Sequence, residues 1–103
     1  MPHRYRVTLT PLEAQDSARE PDAPLPETVS FEITNHDEIT ALITRMEGKA
    51  MVPQSEAAEF IVGLKLFSEV LIRHRAEPIF AELAPHFRSF MKALKASPAR
   101  ETA

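Results

Sequence analysis

The sequence predicts a single α+β domain, residues 1–103, in which a two-stranded antiparallel hairpin with a long loop is followed by three helices (ββααα). Three observations point to it. Residues 4–12 and 27–34 alternate apolar and polar side chains, the period of two that a half-buried strand requires, on either side of a proline-rich segment. Three later stretches repeat apolar residues every three to four positions, which is the spacing of a helix face. Pro78 and Pro85 then punctuate the second half, where a helix must start, bend or stop.

In chain order, Tyr5, Val7 and Leu9 fall on one side of the first strand, with Arg4, Arg6, Thr8 and Thr10 on the other. Residues 13–26 have no period and carry Pro21, Pro24 and Pro26, so a mobile loop is expected there. The second strand turns Val29, Phe31 and Ile33 inward and Thr28, Ser30, Glu32 and Thr34 outward. Antiparallel pairing lets Arg4 or Arg6 face Glu32 across the ladder. A two-stranded sheet is marginal alone and has two open edges, so a helical layer is expected over Tyr5, Val7, Phe31 and Ile33.

The first helix is expected to begin near His36. Asn35 is its N-cap, Glu38 has capping-box spacing, and Asp37 adds negative charge at the positive end of the helix dipole. Ile39, Leu42, Ile43 and Met46 form its apolar stripe, and Gly48 is placed to supply the left-handed residue that ends many helices. A connector follows, with a brief third strand over residues 50–52 as a minor option. Residues 55–77 make a central helix capped by Ser55. Its core arc holds Ala57, Phe60, Leu64, Phe67, Val70 and Leu71, with Gly63 inside it where another backbone can come close. Lys65, Ser68, Glu69 and Arg73 define the wet side.

Pro78 ends that helix and opens a short turn containing Ile79, Phe80 and Leu83. A break or kink is expected at Pro85, which lacks a donor and clashes with the carbonyl of Ala81. The last helix buries Phe87, Phe90, Met91 and Leu94 and turns Arg88, Lys92 and Lys95 outward, leaving residues 97–103 as a disordered tail.

Composition bounds the function. Net charge is −3, divided between −4 in residues 1–54 and +1 in residues 55–103, so no global field draws the chain to nucleic acid. With no cysteine, disulfides, thiolate chemistry and the commonest structural zinc sites are excluded. No apolar run approaches the roughly 20 residues that cross a bilayer, and the N-terminus does not look like a signal peptide. A soluble, cytoplasmic protein is the expectation, with no membrane association.

The segments NHDEI at 35–39, GLKLFSEVL at 63–71 and PIFAELAPHFRSFMKALK at 78–95 resemble the DUF3861 family of short, uncharacterised bacterial proteins, a domain of unknown function. The resemblance covers most of the chain outside the proline-rich loop and the tail. It implies a bacterial source and supports the two-strand, three-helix reading. It implies no activity, cofactor or site residue.

Three groups of residues are candidates for a site. Asn35, His36 and Asp37 open a helix, where free amides can hold an anion or ligand and a histidine can move a proton. The simpler reading is that the acidic and amide side chains cap the helix. Arg73, Arg75, Arg88, Lys92 and Lys95 would form a basic patch able to meet phosphate if the last two helices pack antiparallel. Here the simpler reading is a solvated charged face, and no aromatic side chains interleave to stack on bases. Ile61, Val62 and Ile72 fall on or beside the wet side of the central helix and form a candidate partner surface. Helices on both sides of one monomer account for them, and so does a homodimer.

His3, His36, His74 and His86 lack metal-binding spacing, and His74 sits between two arginines that disfavour a bound cation. No metal or cofactor is implied. His74 and His86 are expected at the core margin. Neither a serine-hydrolase signature nor a glycine-rich phosphate loop is present. The expected function is therefore a small interaction or regulatory module, with a protein partner or a second copy of itself. A ligand-binding or catalytic protein using the 36–37 turn, and a nucleic-acid-associated protein using the basic row, are the alternatives.

Overall fold

Alternating side chains in the first third of the chain form the hairpin they predict. The structure, a computed structural model, describes residues 2–13 and 24–100, so most of the proline-rich loop and residues 101–103 lie outside the described residues. β1 (His3–Leu9) pairs antiparallel with β2 (Val29–Asn35). The register sets Tyr5 opposite Ile33, Val7 opposite Phe31 and Leu9 opposite Val29, so six apolar side chains share one face. On the other face Arg6 stands opposite Glu32, and Glu32 accepts from both arginines: Arg4 Nη2 at 2.7 Å and Arg6 Nη2 at 3.1 Å. All three are exposed, so the cluster fixes register more than it adds stability, about 0.2–1 kcal/mol per pair.

The contacts divide the chain into two compact units, residues 1–36 and 37–103. The second unit is helical. α1 (Ile39–Glu47) starts later than expected and with a different cap. Asn35 ends β2 opposite His3, three residues before the position that precedes the helix. Glu38 caps instead: its carboxylate accepts from the Thr40 and Ala41 amides at 3.1 and 2.9 Å. At the other end Gly48 keeps right-handed helical geometry rather than the left-handed one expected (φ −81°, ψ −3°). The last turn tightens through Gly48 N–H to Arg45 O and Lys49 N–H to Met46 O. The next free carbonyls are met by Arg100, which donates to Glu47 O, Lys49 O and Val52 O from its side chain and to Gly48 O from its backbone.

That anchor corrects the reading of the tail. Residues 97–100 return along the end of α1, with Lys49 and Ala99 in an isolated antiparallel bridge and Ala50 N–H donating to Pro98 O. Residues 50–52 therefore meet the C-terminal segment and do not form a third strand.

A 3-10 turn, Gln54–Glu56, leads into α2 (Ala57–Arg73), and Ser55 lies inside that turn instead of capping the helix. Residues 74–77 form the turn to α3 (Pro78–Ala96), in which Pro78 takes the first helical position. α3 is one continuous element. Pro85 lies inside it, so the short turn and the last helix expected as separate pieces are joined. α1 packs on α2. α2 and α3 meet through phenylalanines in antiparallel order, Phe60 with Phe90 and Phe67 with Phe87, at ring separations of 6.5 and 6.3 Å.

The core of this unit is Ile39, Met46, Ala57, Ile61, Leu71 and Leu94. On α2 the buried face is thus rotated from the expected arc. Ser68 and Glu69, expected wet, are buried, whereas Phe67 and Val70 are 44% and 37% exposed. Gly63 admits no close backbone either, since a Cβ there would meet nothing within 4 Å. No helix among the described residues is long and apolar enough to cross a membrane.

Candidate functional site

The three groups of residues singled out from the sequence fare differently. Asn35 ends β2, His36 is exposed, and Asp37 accepts from Lys65 Nζ at 2.8 Å. The amides of the first turn of α1 that an anion would need are taken by the carboxylate of Glu38. The chain supplies its own anion there. His74 and His86 are exposed, not at the core margin. Among the described residues no three His, Cys, Asp or Glu side chains converge as metal ligands.

Of the candidate partner surface, Ile61 is 4% exposed and belongs to the core, because α1 covers the side of α2 that the helical wheel left to solvent. Val62 is half-buried, and Ile72 alone is open, at 54%.

The five basic residues are all exposed, but the fold does not gather them into one patch. Arg73 and Arg75 sit at the 74–77 turn, whereas Lys95 lies 17 residues into α3 from Pro78, about 25 Å along the axis at 1.5 Å per residue. The row splits. Arg88 and Lys92 remain one turn apart on α3. Lys95 instead joins cations that the sequence keeps far from it.

It does so at a cleft of about 120 Å³ formed by α1, α2 and α3. Ile61, Leu64, Met91 and Leu94 supply much of its apolar lining, and Arg45, Lys49, Lys65 and Lys95 stand around it. Lys65, only 16% exposed in its side chain, is held by Asp37, and Lys49 Nζ donates to Ser97 O at 3.0 Å. Arg45 and Lys95 have no ion-pair partner among the described residues. Sequence reading missed this site because its four cations come from three elements and a connector. The one available signal was a basic residue in the last turn of both α1 and α3.

A second exposed feature lies on the hairpin. Tyr5, Val7 and Ile33 are half-buried, but the end nearer the loop is open: Leu9 is 61%, Val29 55% and Phe31 40% exposed. Among the described residues β1 and β2 form a two-stranded sheet, with no third strand beside either of them.

The fold can now be set beside known proteins. A family profile described as a domain of unknown function with solved structure, DUF3861, matches residues 3–96. The chain belongs to this family. A similar fold is seen in the crystal structure of a protein of unknown function from Pectobacterium atrosepticum. That protein is 34% identical, and the match covers 94% of this chain and 100% of the other with a TM-score of 0.75. No curated protein matches the sequence. The DUF3861 assignment therefore establishes an uncharacterised bacterial family and an α+β fold, and the chemistry rests on the residues described above.

Proposed function

We propose that this DUF3861 protein is a small cytoplasmic interaction module whose first partner is a second copy of itself, joined along the free edge of β2. The observation that carries this reading is the open apolar end of the hairpin, Leu9, Val29 and Phe31, beside a strand edge that has no third strand among the described residues. Contiguous exposed apolar side chains at a sheet edge invite another strand.

The choice of edge follows from charge. β1 carries Arg4 and Arg6, and charged side chains discourage pairing. The lone charge of β2, Glu32, is already matched by both arginines. A two-fold pairing centred on Phe31 sets Phe31 against its own copy, Val29 against Ile33 and Ser30 against Glu32. No like charges are opposed, and the apolar face doubles in width.

The alternatives have less support. A catalytic turn at 36–37 would need the amides that Glu38 occupies and the carboxylate that Lys65 holds. A nucleic-acid surface would need the basic row that the length of α3 divides.

Light scattering coupled to size exclusion tests the reading. The wild-type chain is expected at twice its 11.6 kDa mass, and Phe31→Glu at the single mass. A wild-type protein that stays at the single mass at millimolar concentration overturns self-association. Salt-sensitive retention on heparin would restore the nucleic-acid alternative.

A further inference from the structure

We propose that the cleft between α1, α2 and α3 binds a small organic acid, an apolar body of about six carbons bearing one carboxylate. Size sets the body. An apolar cavity of about 150 Å³ admits benzene, and drug-sized ligands need roughly 300 Å³ or more. At about 120 Å³ the cleft is smaller than that cavity and suits a short alkyl chain. The lining agrees, since Ile61, Leu64, Met91 and Leu94 offer the alkyl contacts such a body requires.

Charge sets the head group. Four cations stand around the cleft, and Lys65 is held by the Asp37 carboxylate. Lys49 is tethered to the Ser97 carbonyl. Arg45 and Lys95 remain available, one from the last turn of α1 and one from the last turn of α3. The ordinary task of a cation in a last turn is to offset the helix dipole. That task does not require both residues to border one apolar cleft with Lys49 and Lys65. A carboxylate held between Arg45 and Lys95 would gain charge-assisted hydrogen bonds while its body displaced water from apolar walls.

This inference does not depend on the hairpin, because every residue in it belongs to the helical unit. Its test uses hexanoate as the probe at pH 7, followed by calorimetry and by amide chemical shifts of the full chain. Hexanol and hexylamine serve as neutral and cationic bodies of the same length.

Hexanoate is expected to shift amides around Met46, Ile61 and Leu94 and to bind about tenfold or more tightly than hexanol, with hexylamine weakest. The double variant Arg45→Gln/Lys95→Gln alters exposed side chains only, and its circular dichroism should match wild type. It should lose about tenfold or more in hexanoate affinity while hexanol binding stays unchanged. Equal binding of hexanol and hexanoate, an undiminished affinity in the double variant, or shifts confined to residues away from the cleft would each overturn the proposal. So would a peptide ending in leucine that binds where hexanoate does not, since the cleft would then serve a protein partner.

Discussion

α2 buries its apolar side chains to different degrees where it meets α1 and where it meets α3. Toward α1, Ile61 borders Leu42 and Met46 and is almost wholly enclosed, with Ile39 and Met46 of α1 buried as well. Toward α3 the contact runs through large rings. Phe60, Phe90, Phe87 and Phe67 form a continuous chain with successive centroids 6.2–6.5 Å apart, yet Phe67 and Phe90 stay 44% and 43% exposed. Branched side chains let helices approach and seal, whereas tilted and edge-on rings hold them apart and leave a seam. Stability is therefore expected to concentrate on the α1 side, although the aromatic residues are the larger ones.

Truncation on each side is the strongest way to break that contrast. Ile61→Ala should cost about 2–5 kcal/mol, because it opens a cavity in the sealed side. Phe67→Ala should cost only about 1–2 kcal/mol, well short of a fully buried ring, because nearly half of Phe67 already meets water. Urea unfolding of the two variants decides it. A larger loss for Phe67→Ala would place the load on the aromatic seam.

Arg100→Ala gives an intermediate effect on the α1 side. It removes three side-chain hydrogen bonds to the carbonyls of Glu47, Lys49 and Val52, and should cost about 1.5–3 kcal/mol. The amides of residues 48–50 should exchange faster with solvent. An unchanged denaturation midpoint would mean that the C-terminal segment only rests on α1.

The smallest effect separates two uses of glycine. Since Gly63 sits mid-helix with nothing within 4 Å of a Cβ position, Gly63→Ala should raise stability by about 0.5–1 kcal/mol. A loss on this substitution would show that another chain approaches α2 at this point, as in an assembly.

Much of the fold could be read directly from the residues. The period-two alternation of β1 and β2 found the hairpin and the pairing of its arginines with Glu32, since strand faces are set by local geometry. Helix existence was also legible, from i, i+3, i+4 repeats and from Pro78 at the first turn of α3. Caps were less so. Asn35 is a better N-cap type than Glu38, yet β2 runs through Asn35 and the helix begins four residues later, behind Glu38. Gly48 needed no left-handed turn because Arg100, 52 residues away, supplies donors to nearby carbonyls. No local rule anticipates that partner.

The candidate sites divide in the same way. Ile61 was singled out because a helical wheel knows one core direction, and it proved buried because α2 has neighbours on two sides. The basic row was legible as a row but not as a site. Its Lys95 acquires cationic neighbours, Arg45, Lys49 and Lys65, only when three helices converge.

The sequence by itself determined the element types, their order and which faces of the strands are apolar, all of which rest on side-chain period and short-range chemistry. Only the tertiary structure decided which face of α2 is buried, what closes the end of α1, and where four separated cations meet. Those depend on contacts between residues far apart in the chain, and loop closure brings such residues together without leaving a periodic trace in the sequence.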